Sequence, residues 1–119
     1  MKAIKIDAAK RKVIEIEIIG LTDMQEAVGG LIEVGHYFPG SPDVIYVDEE
    51  GLLKNPEHFF MIEGETEMLA GNGLIVGTNR LTGASANCIT PIEYIKKQVM
   101  WMDAQTMGLY LALKRLSSS

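Results

Sequence analysis

The sequence predicts an α+β fold: an N-terminal antiparallel β-sheet with a short helix, followed by C-terminal helices. Three observations carry this. Apolar and charged residues alternate over the first twenty positions, glycine and proline clusters cut the middle into short β-branched runs, and the last third shifts to a helical apolar period. With 119 residues, 47% hydrophobic and 23% charged, the chain fits one globular domain with a single core. It is expected to be β-rich over about 1–89 and helical over about 90–116.

The elements follow in order. Ile4 and Ile6, then Ile14, Ile16 and Ile18 with Glu15 and Glu17 opposed, keep a strict period of two; Asp7 to Lys12 is the polar turn of a hairpin. Thr22 followed by Gln25 is a capping-box pattern and Gly29-Gly30 a helix stop, so a short helix is expected from Asp23 to Val28. LIEVGHYF reads as a strand ended by Pro39-Gly40-Ser41-Pro42, and VIYVD as the next strand. Asp48, Glu49, Glu50 and Gly51 then form a turn. Adjacent carboxylates on a tight turn diverge, whereas metal and acid/base sites need convergence, so a solvated turn is expected there.

Asn55-Pro56 starts a turn or short helix, with His58 to Met61 as its apolar continuation. GNG is a turn, LIVG a buried strand and TNRLTGAS a polar hairpin tip. Thr90-Pro91-Ile92-Glu93 has a Thr cap, a proline at the first helical position and a Glu three residues past the cap. Ile92, Ile95, Val99 and Met102 form one stripe of the helix that follows, and Tyr110, Leu113 and Leu116 extend an apolar face. Gly108 and the stretch from Asp103 to Thr106 offer a split into two helices, and Ser117 to Ser119 a frayed tail.

Sixteen acids against eleven bases leave a net charge of −5, which disfavours nucleic acid as a partner. One cysteine, Cys88, excludes a disulfide framework or a cysteine-rich zinc site, and the N-terminus lacks a signal-peptide core. Cytoplasmic residence is the expectation, with no membrane span. Neither Cys88 nor His36 and His58 have the spacing of a nucleophile set or a metal motif, and GNGLIVG precedes a strand, unlike a dinucleotide loop. No cofactor is expected.

What remains suits binding without turnover. Asn79 and Arg80 at the hairpin tip, Asn87 before the helix, and Lys96, Lys97, Trp101 and Gln105 on it offer stacking, amide recognition and cationic contacts. Each has a plainer role available: the lysines as a solvated face, Trp101 as core, Asn87 as a turn cap. A Met-rich face of Met100, Met102 and Met107 would instead serve a protein-interaction module. A small hydrolase rests only on the acidic triplet and the lone histidines.

The ordered set MQEAVGGLIEV, YVDEEGLLKN and MLAGNGLIVG, then a polar hairpin and a C-terminal helix, resembles a family of small phage and plasmid proteins catalogued as a domain of unknown function. The resemblance covers about residues 1–99 and is carried by VGGxIE and DEEG segments. The chain also looks like the first type of Thoeris anti-defence proteins. That likeness implies a non-catalytic sponge, dimeric or larger, that sequesters cyclic ADP-ribose isomers and in some cases cyclic oligonucleotides. By resemblance Asn87, Arg80 and Trp101 are the nearest matches to its nucleotide site; Asn79, Lys97 and Gln105 are candidates by side-chain chemistry alone. Lys96, Lys97, Lys114 and Arg115 stand where related helices often carry arginines.

Overall fold

Residues 2–17 fold as the alternation predicts, into an antiparallel pair of β1 (Lys2–Asp7) and β2 (Lys12–Glu17) that sets Ile4 opposite Glu15 and Ile6 opposite Val13. The computed structural model describes residues 1–117. Ser118 and Ser119 of the expected tail lie outside the described residues, as do the side chains of Met107 and Tyr110. α1 (Leu21–Val28) follows, then β3 (Ile32–Tyr37), β4 (Asp43–Asp48), a 3-10 turn (Gly51–Lys54), β5 (His58–Ile62), β6 (Leu69–Ala70), β7 (Gly73–Thr78) and β8 (Ser85–Ala86). The chain ends with α2 (Ile92–Gln98), β9 (Val99–Asp103) and α3 (Ala104–Ser117).

The architecture is α+β with antiparallel sheets. The larger sheet runs β2-β1-β7-β4-β3 with β8 paired to β7, and the smaller runs β6-β5-β9. β7 lies in the middle of the larger sheet and is covered on both faces, which is why GLIV is continuously apolar while the edge strand β2 alternates. Ile4, Ile6, Ile45 and Ile75 face a core shared with Phe60 and Ile62 of the small sheet and Ile95 of α2. Ala3, Val44, Leu74 and Val76 face the other way, against Met24, Ala27 and Val28 of α1.

Several expectations need correction. The helix begins at Leu21 with Gly20 at its cap, so Thr22 makes no cap; the Asp23 carboxylate instead accepts the Ile19 N–H at 2.7 Å. Gly29 does close it, left-handed at φ 89°, with its N–H on Gln25 O. His58 to Met61 is a strand, not a helical continuation. The helix stripe breaks after Gln98, because Val99 turns extended and 99–103 pairs with β5, setting Phe60 opposite Trp101. There Val99 and Trp101 join the main core while Met100 points outward. Pairing across a sheet, with a β-branched Val and an aromatic Trp to fill it, outweighs a spacing that suits a helix equally well. The two C-terminal helices are therefore separated by a strand, β9, that belongs to the smaller sheet. Asp103 starts α3 by accepting the Thr106 N–H at 2.7 Å, which holds its carboxyl below the usual range.

Candidate functional site: a cleft where three motif segments meet

The segments VGG, DEEG and GNG lie far apart in sequence and close in space. Gly30 comes so near β4 that an added Cβ would sit 2.6 Å from Asp48 Oδ1. Only glycine fits there. Asp48 accepts the Glu50 N–H at 2.9 Å and the Lys54 ammonium at 2.5 Å, and the same ammonium reaches Gly29 O at 3.0 Å. One lysine thus ties the DEEG turn to the end of α1. From the third segment, Gly71 turns at φ 73° with its N–H on His58 O, and the Asn72 amide reaches Ala27 O at 3.5 Å. Between them lies a cleft of about 280 Å³ lined by Val28, Gly29, Asp48, Gly51, Lys54, Pro56, Ala70, Gly71 and Asn72.

The acidic triplet is consequently not a uniformly solvated turn. Glu49 and Glu50 are exposed, but Asp48 is buried. Burial pushes its carboxyl pKa up; the hydrogen bonds from Lys54 and the Glu50 N–H, with the lysine's charge, outweigh that and hold it below the ordinary 3.8. A depressed folded pKa gives stability that is present at neutral pH and is lost as pH falls through the folded value. Lys54→Met is therefore expected to cost about 1–2 kcal/mol at neutral pH, by leaving the Asp48 carboxylate without its cation and with only the Glu50 N–H. The difference from wild type should shrink as pH falls through the depressed folded value and the carboxyl becomes neutral. Urea unfolding at several pH values checks this, and a difference constant with pH would contradict it.

Among the described residues, the six expected to hold a ligand line neither this cleft nor three further hollows, lined in part by His36, by Ile16 and by Val47. Asn79 shapes the hairpin tip, its Oδ1 accepting the Leu81 and Thr82 N–H groups. Arg80 stacks over Tyr37 at 5.2 Å and donates to Ser41 O, pinning the tip to the loop before β4. Asn87 Oδ1 accepts the Lys2 N–H at 2.9 Å. Lys97, Trp101 and Gln105, expected on one helix, stand on α2, β9 and α3; Lys97 and Gln105 are exposed and Trp101 packs on the core. Two of the cleft's polar groups, Lys54 and Asn72, were missed. The signal for them was present: both belong to the motif segments themselves.

Cys88 is buried and donates to the Asp43 carboxylate at 3.4 Å. Burial, with the adjacent negative charge of Asp43, pushes its thiol up to about 12. It is a thiol at neutral pH and so unsuited to nucleophilic attack. Asp43, also unsuspected from the sequence, is fully buried and takes the Ile89 and Thr90 N–H groups and the Thr90 hydroxyl. Thr90 is thereby turned away from α2, whose cap is Pro91. His36 sits edge-on to Phe38 and 4.0 Å from Glu65. Among the described residues no three His, Cys, Asp or Glu side chains gather as metal ligands.

Residues 1–100 match the family model described as Domain of unknown function (DUF3846). No curated protein and no solved structure matches the chain.

Proposed function

The chain belongs to the DUF3846 family, and on that premise we propose that it acts by binding: it holds a small cyclic nucleotide signal without cleaving it. The signal is of the cyclic ADP-ribose or cyclic oligonucleotide class, withheld from a defence effector in the cytoplasm of a host bacterium. One observation carries this reading. The three segments on which the resemblance to the domain-of-unknown-function family rests meet around a single cleft that offers an ammonium, an amide and glycine backbone.

Such a cleft suits one nucleoside end of a ligand. Its volume of about 280 Å³ lies at the low end of small-molecule sites, so the rest of a cyclic dinucleotide is covered by a second copy of the chain. Asn72 offers an amide to a base edge. Lys54, half-exposed, is the cation placed to meet a phosphate when it exchanges Asp48 for the ligand.

The test is incubation of purified protein with a signal mixture made by an immune TIR-domain enzyme, then filtration, heat denaturation and mass spectrometry of what is released. Intact cyclic nucleotide is expected, with Lys54→Ala and Asn72→Ala retaining about tenfold less. A signal left free in the filtrate overturns the reading; unchanged retention in both variants removes the cleft from it.

The exposed leucines at the same end of the molecule favour a second reading, as a protein-interaction module. Leu52 is 65% and Leu53 81% exposed in the DEEGLLKN turn, beside Leu31, whose carbonyl accepts the Glu49 N–H. Nucleotide-independent capture of one host protein, lost in Leu53→Lys, would select it.

A further inference from the structure

Ile14 and Ile16 of β2 and Ile18 just after it line one face, yet only Ile18 is fully covered; Ile14 stays 43% exposed. The cause is the length of α1. Eight residues make about two turns, and they pack on β7, β4 and β3, leaving the β2 side of that face open. The result is a groove of about 330 Å³, floored by the isoleucines and rimmed by Glu17, Asp23 and Glu26 with Lys5 as its one cation.

α3 has the complementary character. Leu109, Leu113 and Leu116 are 64%, 66% and 73% exposed, and their spacing of four and three puts them on one stripe. Within the chain the helix packs chiefly on β9 and β5. A helix of 14 residues is marginal in water without a packed apolar face. In sequence, residues 104–117 carry Lys114 and Arg115 and no acid at all. The stripe is about 10 Å long, and Ile14 to Ile18 span about 14 Å.

We propose that the groove between β2 and α1 receives α3 of a second copy of this chain, leucine stripe on isoleucine floor, with Arg115 against the carboxylates of α1. The acidic rim selects a basic helix, and the self-association on which the ligand reading also draws thereby gains a surface. Ala27 lines the groove and Val28 the cleft, so the partner's helix lies next to the ligand site. The inference rests on that reading only for self-association, not for the ligand.

Sedimentation velocity of the full chain over a concentration series, with no nucleotide present, tests it independently of ligand recovery. Reversible association is expected for the wild type, weakened about tenfold or more by Leu109→Lys. Glu26→Arg and Arg115→Glu should each weaken it about threefold, and the double variant should recover most of the loss. These positions are exposed, and circular dichroism confirms that each variant is folded. Should Leu109→Lys fail to fold, the charge-swap pair decides alone. A wild type that stays monomeric throughout, or an oligomer indifferent to the charge swap, overturns the proposal.

Discussion

Asp43→Ala is expected to cost about 3 kcal/mol of stability, because it leaves one buried and three part-buried donors without this acceptor at once. The carboxylate takes the Ile89 and Thr90 N–H groups, the Thr90 hydroxyl and the Cys88 thiol, and is itself 0% exposed. Through them it fixes the segment that leads from β8 into α2. Asp43→Asn keeps the volume but has one acceptor oxygen in place of two, and should cost about half as much. A second readout is specific to this cluster. Cys88 is raised from an ordinary 9.0 to about 12 by burial and by the charge of Asp43. A raised folded pKa gives stability that is complete below the unfolded value, so the wild type should weaken as pH climbs above about 9. In Asp43→Asn that alkaline loss should shrink and thiol alkylation should quicken. Wild-type stability with an equally inert thiol would show that the carboxylate holds nothing together.

The N-terminal hairpin, the glycine stop after Val28 and the polar tip at Asn79 were legible because local chemistry decides them: period-two patterning, a left-handed residue, an Asx turn. β9 was not legible. Val99 to Met102 satisfies helical spacing, and only the presence of β5 alongside makes it a strand. The cleft was half visible. VGG, DEEG and GNG stood out as turn signals, but that Lys54 bridges two of them depends on the approach of Gly30 to Asp48, a contact between distant parts of the chain. Asp43 was hidden for the same reason: an acid heading an apolar run looks like a strand's solvent end until residues 88–90 are folded over it. The candidate ligand residues were chosen by side-chain type, and type alone says nothing of convergence.

The contact that joins the two sheets should give the other large effect, and it can be read as a coupled pair. Phe60 of β5 is fully buried and its ring lies over Gly73 of β7, where an added Cβ would come within 2.6 Å of Cζ and 3.1 Å of Ile45 Cγ2. Phe60→Ala empties that space and should cost about 3–5 kcal/mol. Gly73→Ala forces the reverse, overpacking a ring with no solvent to move into, at about 1–3 kcal/mol or more. If the ring is what excludes the methyl, the two losses cannot add. In Phe60→Leu the shorter side chain withdraws from the site, so Gly73→Ala on that background should cost clearly less than on the wild type. A coupling of about 1 kcal/mol or more is expected from contacting residues in a shared cavity. Additive losses across the four proteins, measured by urea unfolding, would mean that the sheets do not meet at Gly73. Phe60 would then owe its burial to the Ile62, Ile95 and Val99 side of the core.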